Sequence, residues 1–322
     1  MYRCRGGTVS VRRRKWPSVV LRLVGSAGLA AWVVWLASPT ALVRVAPLLP
    51  WRELAFATAT LVIALYLGDS LCVRWLFAQP GGGISLPAVL YSRGASYLLS
   101  SLNYELGQGA MAWALARIQN RTLLSALGMC LVMAYHDVVV LLVLGLSGAL
   151  LSPEPLARVI AWSCGLALLV VAAAGVAIGK FPLRWQERWL PERLRVQLDW
   201  WTWRHSICLG LLRTGYFALI LVYAAVGLRL SGIDLSLQGL CSVVPLALLA
   251  DGLPISVSGL GTRETTLLYL INPDESERPV LLAFSLLWSV GLVLGRAAIG
   301  LAFWWYVPER RKQARGTPGN PP

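Results

Sequence analysis

The sequence predicts an all-α polytopic membrane protein, and three observations carry that prediction. The 322-residue chain is 57% hydrophobic and only 14% charged, whereas a soluble domain is nearer half apolar and about a quarter charged. Its mean hydropathy is +0.64. Several apolar runs exceed the roughly 18 residues that cross about 30 Å of hydrocarbon. Six full spans plus two interrupted, re-entrant helical hairpins in an inverted repeat are expected, and eight full spans are the alternative.

Residues 1–17 form a basic N-terminus with Arg3, Arg5, Arg12, Arg13, Arg14 and Lys15. The first span follows over Ser18 to Ser38. Its apolar stretch is longer than the apolar region of a signal peptide, so an uncleaved span is expected. The second span covers Leu54 to Leu76. An apolar segment from Leu86 to Ala116 is then interrupted by Asn103, Glu105, Gly107, Gln108 and Gly109. Spans at Leu123 to Leu151 and Arg158 to Ile178 come next.

The 180–204 linker carries Lys180, Arg184, Arg188, Arg193, Arg195 and Arg204 against Glu187, Glu192 and Asp199. It also holds Trp185, Trp189, Trp200, Trp201 and Trp203, the composition of an amphipathic segment lying along headgroups. A span at Ile207 to Leu228 leads into a second interrupted segment, Leu237 to Ile271, and the last span is Val280 to Tyr306. Residues 18–306 are thus read as a single transmembrane domain, and 307–322 as a disordered basic tail.

Charge sets the expected orientation. Lys and Arg concentrate on cytoplasmic flanks, which puts both termini and the 180–204 linker inside and localises the protein to the inner or plasma membrane. The acidic loop Asn272 to Pro279 suits the outside. Arg74 and Arg93 precede the first interrupted segment, and Arg117 and Arg121 follow it, so that segment is expected to dip in from the cytoplasm. The second would dip in from outside. Span, dip and span would then recur with opposite orientation over about 54–151 and 207–306, the layout in which broken helices form a substrate site near the midplane.

Composition also excludes functions. The net charge of +14 sits at the termini and between apolar runs, which points to anionic lipid and not to nucleic acid. The six cysteines and two histidines are scattered, without disulfide or zinc spacing, so no metal or cofactor is expected. A nucleotide-binding loop, a Gly-x-Ser-x-Gly elbow and a close aspartate pair are all missing, so enzymatic activity is not expected.

One run concentrates the polar chemistry: Pro254-Ile255-Ser256-Val257-Ser258-Gly259-Leu260-Gly261-Thr262-Arg263-Glu264. An ion pair and flexible backbone at membrane depth are costly, so they mark a site or a buried lock. A helix starting near Thr262, capped by Thr262 or Ser258, would aim free amides toward Ser258 to Gly261. With Arg263 adjacent, those amides make a seat for phosphate. Glu264 would position Arg263 or hold a proton. Arg213 and Arg296, on flanking spans, would either line the site for an anionic headgroup or neutralise Asp251 and Glu264. His136 and Asp137, with Asp251, are candidates for a proton relay; a helix-end pairing is the plain alternative.

This run resembles the signature of the lysylphosphatidylglycerol synthase transmembrane, or flippase-like, family. The resemblance extends to Leu102-Asn103-Tyr104-Glu105-Leu106-Gly107-Gln108-Gly109, similar to that family's upstream polar re-entrant region, and to the segment around His136-Asp137. It implies a lipid-handling or flippase-like role without the aminoacyl transferase domain. Ser258, Gly259, Gly261, Thr262, Arg263, Glu264, Arg213 and Arg296 would hold an anionic lipid headgroup. Asn103, Glu105, Gly107, Gln108 and Gly109 would form a second half-site, although Gly107-Gln108 stands where the family carries an acidic pair. The alternatives are an intramembrane lipid-modifying enzyme and a non-transporting partner of a lipid or envelope biosynthetic enzyme.

Overall fold

The computed structural model describes residues 39–45, 47, 49–78, 83–102, 104–153, 155–180, 203–252 and 261–305. All regular structure among them is helical. In chain order the helices are α1 (Pro39–Val45), α2 (Trp51–Phe77), α3 (Leu86–Leu102), α4 (Tyr104–Ile118), α5 (Leu123–Leu151) and α6 (Pro155–Lys180). After the linker come α7 (Trp203–Leu230), α8 (Leu237–Asp251), α9 (Thr262–Ile271) and α10 (Arg278–Trp305). The expected span at Ser18 to Ser38, most of the 180–204 linker and the 307–322 tail lie outside the described residues.

Five helices are long and apolar enough to cross a membrane: α2, α5, α6, α7 and α10. They coincide with five of the six expected spans. Local chemistry sets their ends. Thr122 caps α5 by accepting the Ser125 amide at 3.4 Å, and Ser236 caps α8 by accepting the Gly239 amide at 3.1 Å, each satisfying an amide that lacks a partner in the first turn. Asn272 closes α9 in the left-handed region, φ 45°, a conformation asparagine tolerates better than most residues.

Each interrupted segment resolves into two packed helices. In the first, Arg93 on α3 reaches Met111 on α4, and Gly107 lies against Ser100. The pairing therefore runs backwards along the chain, and α3 and α4 are antiparallel. In the second, Arg263 at the start of α9 meets Asp251 at the end of α8, while Ile271 shares a cavity wall with Gly239. So α8 and α9 are antiparallel as well.

The packing between the two halves repeats. The first spans lie against each other antiparallel, because Thr58 bonds Tyr223 and Asp69 bonds Arg213. The leading helix of each hairpin packs antiparallel on the last span of the other half. Thus α8 lies on α5, with Gly148 against Cys241 and Ser242 and Gly145 near Pro245. Likewise α3 lies on α10, with Gly300 against Leu98 and Gly94 against Phe303. At Gly148 and Gly300 the neighbour is backbone; an added Cβ would stand 2.5 Å from the Ser242 or Leu98 amide nitrogen. Glycine there is a requirement of close approach, the usual device where helices associate within lipid.

The main core runs along α2, α7, α8 and α10 and includes Leu54, Leu61, Phe217, Ala224, Val244, Phe284 and Trp288. A second cluster, with Leu76, Phe77, Met111, Leu115, Met129 and Leu209, joins the first hairpin to α2, α5 and α7. By contrast, α6 touches the rest along one face, through Ala157, Ile160 and Cys164. It turns Trp162, Leu166, Leu169 and Val170 outward.

Candidate functional site

Two buried ionic clusters occupy the interior, the first held by helices distant in sequence and the second by three consecutive helices. In the first, Asp69 on α2 accepts Arg213 Nη1 from α7 at 2.8 Å and pairs through its other oxygen with Arg93 Nε from α3. Arg213 turns its Nε to Asp137 on α5. Asp69 is 1% exposed and Arg213 3%. Two acids and two arginines thus neutralise one another at a depth where an isolated charge would be strongly unfavourable. Aromatic rings floor the cluster, with Arg93 5.0 Å from the Tyr97 ring centroid and Arg213 4.2 Å from that of Tyr216. Cation–π contacts of this kind strengthen when desolvated.

The second cluster joins α8, α9 and α10. Arg263 donates Nε to Asp251 Oδ2 at 2.8 Å and adds a second bond from Nη2. Its guanidinium lies 4.7 Å from the Trp288 ring centroid. Glu264, fully buried, does not pair with Arg263. Its Oε2 accepts the Gly261 amide at 2.7 Å and its Oε1 accepts the Ser289 hydroxyl at 2.5 Å. Gly261, at φ 89°, has the backbone freedom that this tight entry needs.

This arrangement corrects several expectations. The cap of α9 is neither Thr262 nor Ser258, because the Glu264 carboxylate folds back onto the Gly261 amide. A phosphate at that helix start would compete with this carboxylate, and Arg263 is already engaged by Asp251. Arg213 belongs to the first cluster and neutralises Asp69 and Asp137, not Asp251 and Glu264. Arg93 is not a flanking loop cation: it lies within α3, 5% exposed, and holds Asp69. Hydropathy missed it because an arginine near a span edge looks like a topology signal until its partner on another helix is known.

The other candidates fall in several places. His136, on α5, has Nδ1 at 2.8 Å from the Val132 carbonyl; Asp137 is bound to Arg213. Gly107 brings α4 against α3, whereas a Cβ at Gly109 would meet nothing within 4 Å. Gln108 has its side-chain oxygen buried without a hydrogen bond among the described residues. Thr262 is buried and its carbonyl accepts the Thr266 hydroxyl. Asn103, Ser258 and Gly259 lie outside the described residues, as does the Glu105 side chain.

Arg296 differs from the other buried arginines. Half-buried on α10, it makes no hydrogen bond or ion pair among the described residues. The Gly94–Phe303 and Leu98–Gly300 contacts place it level with Leu102, where the first hairpin ends. On α10 it lies between Ser289, which bonds Glu264 at the start of α9, and Gly300, which meets Leu98 on α3. It therefore stands between the ends of the two hairpins. Among the described residues, no group of three or more His, Cys, Asp and Glu side chains is placed to hold a metal.

Comparison with protein-family models, curated proteins and solved structures found no match.

Proposed function

We propose that this integral membrane protein carries an anionic amphipathic lipid between leaflets. The lipid headgroup passes between the two hairpins and the acyl tails stay in the bilayer. The observation that carries the reading is Arg296, a half-buried arginine without an ion pair among the described residues, set where both hairpins end. A charge at such depth normally faces an interior path and finds a partner, and a headgroup phosphate is a partner that guanidinium geometry suits.

The packing supports the same reading. First spans that run antiparallel, and hairpins exchanged between halves, are what inverted-topology repeats produce, with a site where the broken helices meet. On this reading α3–α4 and α8–α9 are re-entrant hairpins entering from opposite faces, and both termini are cytoplasmic. The likeness of the Pro254 to Glu264 run to the flippase-like family points to the same substrate class. The headgroup site is then centred on Arg296. Arg263, Glu264 and Arg213 act as the framework that fixes the hairpins around it.

Purified protein reconstituted with fluorescent phosphatidylglycerol tests the proposal. Dithionite accessibility should show transbilayer movement well above that in protein-free vesicles, with less movement of a phosphatidylcholine probe. Equal rates with and without protein would refute it.

A further inference from the structure

Charge is unevenly placed along the bundle. One end gathers the last turn of α2, the base of the first hairpin and the start of α7. There Gln119 Nε2 donates to the Phe77 carbonyl at 2.7 Å, and the Trp75 and His205 rings lie 5.9 Å apart. Arg74, Arg117, Arg121 and Arg204 stand at this end, and among the described residues it carries no aspartate or glutamate. At the opposite end the arginines have acidic neighbours in the chain, Arg52 beside Glu53 and Arg278 beside Glu277.

Arg117 is the most exactly placed of the four. It is exposed and makes no hydrogen bond or ion pair among the described residues, and its Cζ lies 4.6 Å from the Trp113 ring centroid. Stacking occupies the face of the guanidinium and leaves its N–H edges open, and a planar fork held in this way suits the oxygens of a phosphate. Arg204 stacks on Trp203 at 5.5 Å at the same end. Beyond Trp113 the outer face of α4 continues through Ala110 to Leu106, a spacing that keeps all four residues on one side of the helix. Trp113 and Leu106 are both exposed. Nothing lies within 4 Å of where a side chain on the adjacent Gly109 would begin, so at that level no other described helix covers this face.

We propose that the outer face of α4 binds one anionic phospholipid of the adjoining leaflet, at a site separate from the headgroup path at Arg296. Its phosphate sits on Arg117, and the Trp113 ring lies at the level of the headgroup boundary, where tryptophan is enriched. One acyl chain runs along Ala110 and Leu106. The lengths agree: from Leu106 to Arg117 the helix rises about 16 Å, half of the roughly 30 Å hydrocarbon layer and so the depth of one leaflet. Charge selects the headgroup. A zwitterionic lipid would bring its own cation among four arginines, whereas phosphatidylglycerol brings only the anion that this end lacks. The depth match rests on the re-entrant reading of the first hairpin; the site does not require the carrier role.

Native mass spectrometry of the full-length protein, titrated in detergent with phosphatidylglycerol or phosphatidylcholine, tests this. The wild type should retain one phosphatidylglycerol that phosphatidylcholine does not replace. An arginine at an anionic headgroup is worth a factor of about five in affinity, so Arg117→Gln should weaken that adduct about fivefold and Arg117→Lys should weaken it less. Arg296→Gln should leave it in place. Because Arg117 is exposed, the unfolding midpoint of Arg117→Gln without added lipid should match wild type. Equal retention of the two lipids by wild type would overturn the proposal. So would an adduct pattern that Arg117→Gln leaves unchanged, or an Arg117-dependent adduct that Arg296→Gln also removes. An Arg117-dependent adduct in a protein that moves no lipid across vesicles would uphold this site while the carrier reading fails.

Discussion

Buried arginines do two different jobs in this protein. Arg93, Arg213 and Arg263 are locked to carboxylates, so removing one partner strands the other. Asp69→Asn leaves Arg93 and Arg213 short of a counter-charge, and a broken buried pair typically costs about 3–5 kcal/mol. A marked fall in the thermal unfolding midpoint in detergent is the expected outcome, and an unchanged midpoint would contradict the cluster. Arg296→Gln strands no hydrogen-bonded partner and should leave that midpoint within a few degrees of wild type. Glu264→Ala removes the carboxylate from the Gly261 amide and the Ser289 hydroxyl, with a loss of at least about 1–2 kcal/mol from the lost cap. Retained stability in that variant would show that α9 starts by some other means. In retrospect the Gly261-x-x-Glu264 spacing announced this cap, because a glutamate at the third helical position can reach back to the amide before the helix. The partners of Arg213 were not legible, since Asp69 lies 144 positions away and nothing local in either span specifies the pairing.

The helices themselves were the most readable part of the chain. Runs such as Leu123 to Leu151 are apolar for their whole length, and a membrane span needs little beyond that. The breaks were legible too, because polar and glycine residues around Asn103 and Gly259 cannot continue a lipid-facing helix without a reason. Which helix each hairpin packs on was not legible. That choice rests on glycines whose meaning appears only when a second backbone lies against them. Gly148→Ala and Gly300→Ala should each destabilise the fold by about 1–3 kcal/mol, the usual cost of overpacking, since the Ser242 and Leu98 backbone cannot retreat as a side chain would. Gly109→Ala, in open space on α4, should be neutral or slightly stabilising because alanine is the better helix former. Unfolding midpoints for the three variants check this. Equal effects at all three positions would refute the close-approach account.

Among the described residues, the leading helix of each hairpin packs on a span from the other part of the chain, buried ionic clusters tie the helices together, and α6 is held along one face only. Positive-inside reasoning gave an orientation for this arrangement but misjudged Arg93, because loop charge and buried charge look alike in one dimension. The proposed carrier role makes Arg296 the contact between the fold and its cargo. The most direct measurement is therefore the initial rate of phosphatidylglycerol movement across reconstituted vesicles for wild type, Arg296→Gln and Arg296→Lys, compared at equal protein content and equal unfolding midpoint. The account predicts at least a tenfold loss in Arg296→Gln with partial recovery in Arg296→Lys, corresponding to about 1.4 kcal/mol or more of lost phosphate interaction. A wild-type rate in Arg296→Gln would contradict it.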